Sequence, residues 1–330
     1  MSEQSNIIDI IGADISSTEI VLAKAQSKQP VESIANNRKS ILAWFKLLPL
    51  STVIGMEATG RFHHALAVLA VERGHTVYVI NPKHLFNYAK GVGQRGKTDP
   101  LDAKVIARYL ERERDKLHPY VVPTDLQRSL RNLMSQRTGI VKHCVAIHQN
   151  LQATGTHGGA KLARARKQLL QSLAAVVAEI DAALKAAVDA NPTLEGKRKQ
   201  LQTIVGIGVL NSIALTHRFD RTPFANSDAV VAAYGLDPQP KDSGKHIGKR
   251  HLTKQGNPED RRLIYLAALS AAKTKTFKPL YTALRDRGFA TTEAVVIIAR
   301  KLLRIAFAVW TSNKPFDPTK LGFYNACKKP

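Results

Sequence analysis

Two apolar runs in the first sixty residues each stop on a carboxylate. Ile7-Ile8-Asp9-Ile10-Ile11-Gly12-Ala13-Asp14 closes on Asp14, and Thr52-Val53-Ile54-Gly55-Met56-Glu57 closes on Glu57. Short apolar runs bounded by turn residues read as buried strands. A further strand at 19–24 follows a Ser-Ser turn and pairs with the first as a hairpin. Residues 37–48 have helical spacing, with Ile41, Leu42, Trp44, Phe45 and Leu48 apolar. A helix over 61–73 is stopped by Gly74. Residues 75–80 form a strand, Asn81-Pro82 a turn and 83–90 a short basic helix. Strands alternating with helices over about the first 115 residues imply an α/β sheet domain. Ligand sites in such sheets lie outside strand ends, where Asp14 and Glu57 fall.

The Gly-containing loop 91–96 then delivers the chain to Lys97-Thr98-Asp99-Pro100-Leu101-Asp102-Ala103-Lys104. Pro100 suits the start of a helix, where its missing amide hydrogen would be unpaired anyway. Residues three apart share a helix face, so Asp99 and Asp102 point the same way. Two readings of the pair compete. One is a cap, with Asp99 as N-cap and Asp102 at N3. The other is a metal site, in which Asp14 and Glu57 join them. Converging carboxylates repel one another unless a cation lies between them. Mg²⁺ takes oxygen ligands together with substrate phosphate, and a two-metal site would stabilise the attacking and leaving oxygens of a phosphodiester.

Charge identifies the partner class. Among 330 residues there are 49 Lys and Arg against 26 Asp and Glu, a net +23. An excess of that size on a folded chain implies a polyanion, most simply nucleic acid. Neither a basic amphipathic membrane helix nor a lipidation signal is present, and no apolar run reaches the roughly 18 residues that span a bilayer. The N-terminus lacks the marks of a signal peptide, and two distant cysteines, Cys144 and Cys327, suit a reducing compartment. The expected location is a bacterial-type cytosol, in association with the nucleoid.

Pro119 and Pro123 mark a boundary. Two long helical stretches follow, 124–153 and 161–190, joined by the Gly-rich turn 155–159. They suggest a helical hairpin or coiled-coil arm, carrying Arg128, Arg131, Arg137 and Lys142 on one helix and Lys161, Arg164, Arg166 and Lys167 on the other. Dimerisation, nucleic-acid contact and a solvated charged face are the readings open to it. After Asn191-Pro192, the stretch Leu201-Gln202-Thr203-Ile204-Val205-Gly206-Ile207-Gly208 has the form of a helix-hairpin-helix turn, in which Gly206 and Gly208 let backbone amides approach phosphate. A helix at 227–234 precedes Lys241-Asp242-Ser243-Gly244-Lys245-His246-Ile247-Gly248-Lys249-Arg250-His251, and apolar helices at 260–273 and 292–311 follow. The expected division is 1–118, 119–192 and 193–330.

These motifs together resemble one transposase class, the insertion-sequence transposases related to the Piv DNA invertase, or bridge-RNA-guided recombinases. The resemblance rests on Ile11-Gly12-Ala13-Asp14, Met56-Glu57-Ala58-Thr59-Gly60 and Lys97-Thr98-Asp99-Pro100-Leu101-Asp102-Ala103. Further along it rests on Gly206-Ile207-Gly208, Tyr234-Gly235-Leu236-Asp237-Pro238, Ser243-Gly244, Lys254-Gln255-Gly256-Asn257 and Arg261-Arg262. Ala13 stands where relatives usually carry a larger aliphatic residue. The resemblance implies a RuvC-like N-terminal domain of RNase H fold and a mainly α C-terminal transposase domain. It implies that Asp14, Glu57, Asp99 and Asp102 bind Mg²⁺ and that Ser243 is the nucleophile, forming a phosphoserine with DNA. It also implies donor and target DNA, a structured bridge RNA, and a homodimer or dimer of dimers in which Ser243 meets the acids of another subunit.

Lys97, Lys245, Lys249, Arg250, Arg261 and Arg262 are candidate phosphate contacts around these groups. For His246 and His251, backbone phosphate contact is preferred to acid–base catalysis, and Asp242 reads as a turn former. Two other readings compete with the recombinase: a RuvC-like nuclease that uses water, and a non-catalytic nucleic-acid-binding protein.

Overall fold

The computed structural model describes residues 9–25, 31–58, 60, 62–94, 96, 98–153, 159–240, 242–243, 248 and 250–321. The chain divides into two compact units, residues 1–122 and 123–330.

The first unit is built on five strands: β1 (Ile10–Ile15), β2 (Glu19–Lys24), β3 (Glu32–Ala35), β4 (Val53–Glu57) and β5 (Thr76–Ile80), in the order β3-β2-β1-β4-β5. The β1–β2 and β2–β3 pairs are antiparallel; β1–β4 and β4–β5 are parallel. Strand alternation divides the side chains between two faces. Ile11, Ala13 and Ile15 of β1, with Ile54 and Met56 of β4, face helices α1 (Arg38–Phe45) and α2 (His64–Glu72), where Ile41, Trp44, Phe45, Leu66 and Leu69 complete a core. The opposite face is covered by α4 (Asp99–Glu113), whose Ile106 and Leu110 pack with Val53 and Ile80. Between β5 and α4 lies α3 (Pro82–Gly91). Two buried faces explain why β1 and β4 read as continuous apolar runs rather than alternating ones. Beyond α4 the chain returns to the sheet edge, where the Tyr120 amide donates to the Val77 carbonyl at 2.7 Å.

The second unit is almost wholly helical among its described residues. Helices α5 (Asp125–Ala153) and α6 (Gly159–Asp189) pair as a long arm. The base of that arm is not a separate body. Leu130, Ile180, Leu184 and Val188 share a core with Leu194 of α7 (Pro192–Gln202) and Ile213 of α8 (Val209–Arg221). The main core joins α7 and α8 to α9 (Ser227–Ala233), α10 (Pro258–Ala271), α11 (Lys278–Asp286) and α12 (Thr291–Ser312), the last contributing Val295, Ile298, Leu302 and Leu303. A two-residue ladder, β6 (Pro238–Gln239) with β7 (His251–Leu252), closes the loop that carries Ser243.

Asn-Pro pairs start three of the helices. Asn81, Asn191 and Asn257 each accept a bond from a first-turn amide, and Pro82, Pro192 and Pro258 follow. Asparagine supplies the N-cap acceptor, and proline fills a position whose N–H has no partner. The sequence reading named neither β3, α11 nor the β6–β7 ladder, and gave α7 and α8 only as the flanks of a helix-hairpin-helix turn. β3 and the ladder strands are a few residues long and α11 is only nine, too short for their apolar spacing to stand out in the sequence.

Candidate active site

The acidic site is positioned by two glycines. Gly12 and Asp14 lie two apart on β1 and share a face; so do Gly55 and Glu57 on β4. Both glycines look at α4. A Cβ on Gly12 would lie 2.1 Å from the Ala103 carbonyl oxygen and 2.5 Å from the Ala107 amide nitrogen. A Cβ on Gly55 would lie 2.3 Å from Leu110 Cδ1. The helix therefore rests on the sheet backbone itself, with Ala103 and Ala107 as its small contact residues. That close seat holds the N-terminus of α4 against the end of β1.

The strands set the other half. Ala13 pairs with Met56 in parallel register, and the next residues along each strand are Asp14 and Glu57. Neighbouring strands lie about 4.8 Å apart, so these two carboxylates emerge side by side on the face that α4 covers. Asp99 and Asp102 arrive from the first turn of α4. Electrostatics register the convergence. Burial raises the half-buried Asp14 carboxyl from its ordinary 3.8 to about 6, and repulsion from Asp99, Asp102 and Glu57 adds to it, against a lowering bond from the Ile15 backbone. One carboxyl thus senses all three others.

The capping reading of Asp99 is not borne out. Thr98, in extended conformation, is the N-cap, Asp99 is the first helical residue, and no side-chain cap bond forms. The Asp102 amide donates instead to the Thr98 carbonyl at 2.9 Å. Asp99 is therefore not committed to the N-cap position. Sequence reasoning missed Gln94. Its Nε2 donates to Asp102 Oδ1 at 3.3 Å and to the Gly96 carbonyl at 3.1 Å. An amide eight residues before the acid gives no sequence signal; only the fold of the 91–96 loop brings it back.

The donor set is all carboxylate, which suits a hard divalent cation. A cation would relieve the repulsion carried by Asp14, so in charge and chemistry the residues fit. In the geometry shown, no group of three or more His, Cys, Asp or Glu side chains among the described residues is set closely enough to hold a metal.

Ser243 lies in the second unit, exposed, on the loop between β6 and β7. Its neighbour Asp242 clasps the loop: Oδ2 accepts from Arg250 Nη1 at 2.8 Å, and Oδ1 from the Gly248 amide at 3.2 Å. Asp242 is thus a loop former, as expected, and Arg250 is engaged with it. Arg261 donates to the carbonyls of Gly256 at 2.5 Å and Tyr234 at 3.4 Å, joining the two turns that meet where Gly235 approaches Gln255 and Gly256. Arg262 is paired with Glu259 at 2.5 and 2.9 Å. Gly206 and Gly208 differ. At φ +92, Gly206 is seated on α10, where a Cβ would come within 2.6 Å of the Ala267 carbonyl; Gly208, the N-cap of α8, faces open space. Lys97, Gly244, Lys245, His246 and Lys249 lie outside the described residues.

Comparison with known proteins places this arrangement. Residues 11–154, which carry all four acids, match the DEDD transposase domain of the IS110 family. Residues 198–282, which carry Ser243, match the transposase family of IS116, IS110 and IS902. The two matches together span more than half of the chain. The chain belongs to the IS110/IS116 family of transposases. Pilin gene-inverting proteins of Moraxella bovis and Moraxella lacunata are each 26% identical to it over 269 residues, 79% of this chain and 81% of theirs. An insertion element IS900 protein of Mycobacterium paratuberculosis is 32% identical over 103 residues, 30% of this chain and 25% of its own. The chain is therefore a DNA transposase or recombinase enzyme, and DNA is its substrate. No helix among the described residues is long and apolar enough to cross a membrane.

Proposed function

We propose that this transposase exchanges DNA strands through a phosphoserine at Ser243, assisted by a Mg²⁺-binding cluster of Asp14, Glu57, Asp99 and Asp102 and directed by a structured bridge RNA. The observation that carries the reading is the coupling of Asp14 to the other three acids. Evolution of a stable sheet gives no reason to gather four like charges at one strand end, whereas a phosphoryl-transfer site does. The strand order, three antiparallel strands with two parallel ones beyond β1, supports a RuvC-like domain of RNase H type. The α7–turn–α8 unit supports a helix-hairpin-helix, with the open Gly208 end as its phosphate-facing half.

In this reading the Ser243 Oγ–H gives up its proton as Oγ bonds to a DNA phosphorus. The bond from phosphorus to the 3′-oxygen breaks, and that oxygen takes up a proton as a free 3′-hydroxyl. A 3′-hydroxyl of another strand then attacks the phosphoserine, and the serine oxygen leaves and is reprotonated. Bound divalent cations would neutralise charge on the phosphate and its attacking and leaving oxygens. Serine is a weak nucleophile at neutral pH and needs such activation. The acids hold the cations, Gln94 orients Asp102, and Asp242 with Arg250 shapes the loop that presents Ser243. The active assembly is a homodimer or dimer of dimers, with the serine of one subunit facing the acids of another.

The test is a trapped adduct. Incubation with donor DNA and Mg²⁺ should give a denaturation-resistant protein–DNA product that Ser243→Ala abolishes. Asp102→Asn should lower its yield by about a thousandfold, the scale of losing transition-state charge stabilisation. Strand exchange persisting in Ser243→Ala but lost in Asp102→Asn would instead establish water as the nucleophile. Sequencing the nucleic acid that copurifies tests guidance: one discrete structured RNA supports it, and random cellular RNA opposes it.

A further inference from the structure

The α5–α6 arm changes character along its length. At the base its cations are matched. Arg137 Nε and Nη2 bond Asp181 at 2.5 and 3.1 Å, and Lys185 bonds Asp189 at 2.7 Å. Slightly further out, Lys142 lies within electrostatic reach of Glu259 on α10. Beyond these contacts there is nothing to match. Residues 138–178 contain no Asp or Glu at all, and no Phe, Tyr or Trp. No other acid-free stretch in the chain is as long. Within it, α6 carries Lys161, Arg164, Arg166 and Lys167 in seven residues. Lys161, Arg164 and Lys167 are exposed, and Arg166 is half-buried. The three exposed cations are spaced at i, i+3 and i+6, so they climb one side of the helix, each about 4.5 Å further along the axis.

We infer that this outer part of α6 grips the phosphate backbone of double-helical DNA without reading its sequence. An ordinary solvated face on a folded arm mixes both signs of charge, as the base of this arm does; an uncompensated cationic row is suited to phosphates. The missing aromatics favour a duplex over a single strand. Single-stranded DNA or RNA is held by stacking unpaired bases on aromatic side chains, and the outer arm has none. Long aliphatic stems ending in cations meet the backbone of a duplex, where contacts fix position rather than specify sequence. DNA is the duplex this enzyme acts on.

The experiment measures binding by the full-length protein to duplex DNA of unrelated sequences, without divalent metal, over a salt series. The triple variant Lys161→Gln, Arg164→Gln, Lys167→Gln keeps good helix formers at each site. Its log Kd against log salt should be shallower by about 3, roughly one for each cation removed, and equally so for every sequence. Lys161→Arg with Lys167→Arg should bind as the unmodified chain does. Lys185→Gln with Lys199→Gln, which removes cations already paired with Asp189 and Glu195, should leave the slope unchanged. An unaltered slope in the triple variant, with helicity and melting temperature retained, overturns the inference. So does a change confined to a structured RNA ligand, or a loss matched by the paired-cation control. Because no strand cleavage is measured, the result is independent of the chemistry assigned to Ser243.

Discussion

The two halves of the proposed chemistry are built differently. The four acids stand on secondary structure: two adjacent parallel strands and the first turn of a helix seated directly on the sheet backbone. Ser243 stands on an exposed loop, held by a two-residue ladder and an ion pair whose members are about half exposed. The backbone under the carboxylates is fixed by the fold, so in the proposed mechanism a cation would need only to draw their side chains together. In the proposed mechanism, a serine on such a loop would be placed by what it meets, which suits cleavage that awaits a completed assembly. The comparison makes a practical distinction. Substitutions under the acids should affect folding and metal affinity together, and substitutions in the serine loop should affect catalysis with the fold intact.

The sharpest way to break this comparison is at Gly12. Gly12→Val puts branched carbons where even a Cβ lies 2.1 Å from a helix carbonyl, so α4 must lift off β1. We expect a loss of about 3 kcal/mol or more, the upper range of overpacking, seen as a fall in melting temperature or as insoluble protein. Gly55→Ala meets side-chain atoms of Leu110 and Ile106 rather than helix backbone and should be milder, about 1 kcal/mol. If Gly12→Val melts like the unmodified chain, the acids do not depend on a rigid seat.

Asp14 gives the next largest effect, with an unusual sign. Its folded-state pKa of about 6 lies above the ordinary 3.8, so ionising it opposes folding. That opposition is full above pH 6, shrinks as pH falls through 6, and is gone below about 4. In metal-free protein, Asp14→Asn should therefore raise stability at pH 7 by about 2 kcal/mol, the pKa difference discounted for the half-exposed site. The gain should vanish toward pH 4. Adding Mg²⁺ should stabilise the unmodified chain more than the variant, since a cation would offset the burial, and the repulsion from Asp99, Asp102 and Glu57, that penalise the Asp14 carboxylate. Denaturant melts at pH 4, 5.5 and 7, with and without Mg²⁺, check all three statements. A variant no more stable than the parent at pH 7 would show that the carboxylates do not crowd one another.

How much of this was legible in the sequence follows from the same physics. The strands ending on Asp14 and Glu57 announced themselves because both faces of the sheet are buried, leaving unbroken apolar runs. The acids of the 99–102 turn were visible as a motif, but their capping role was misread, since one residue of offset moves the N-cap from Asp99 to Thr98. Gly12 was visible as part of a motif, yet its purpose was not, because a close helix approach is a property of two distant segments. Gln94 was invisible for the same reason. Arg261 and Arg262 read as phosphate contacts in a basic stretch; the bonds of Arg261 to two turn carbonyls and of Arg262 to Glu259 carried no sequence signal. Sequence patterns report what each residue faces in bulk, core or solvent, and say little about which partner it finds.

Gln94→Ala tests the support of the acidic site at a finer scale. The Nε2 bond to Asp102 is long, at 3.3 Å, so its loss should lower stability by under about 1 kcal/mol. Metal affinity should fall more visibly, by about tenfold, the lower end for residues that orient a ligand. Mn²⁺ titration followed by electron paramagnetic resonance reads this directly, without DNA. Gln94→Glu, which places another carboxyl beside Asp102, should disfavour the metal-free protein further at neutral pH and recover part of its stability on adding Mn²⁺. Equal affinity in all three proteins would mean that Asp102 needs no orienting partner.

The smallest expected effect on stability is in the serine loop, and it is the most discriminating. Asp242 and Arg250 are exposed enough that their pairing should contribute less than about 1 kcal/mol, so Asp242→Ala should melt within a degree or two of the unmodified chain. Mn²⁺ affinity should not change, because the acidic cluster belongs to the other unit. The yield of serine–DNA adduct should nevertheless fall several-fold. Without Asp242 the Gly248 amide and the Arg250 guanidinium both lose their acceptor. Asp242→Asn should recover part of the yield, since an amide oxygen still accepts from Gly248 although the charge pair with Arg250 is gone. Adduct formation equal to the parent in Asp242→Ala would mean that the loop is shaped by what it meets rather than by this clasp. The difference between a prebuilt acidic site and a placed serine would then be larger than the clasp implies.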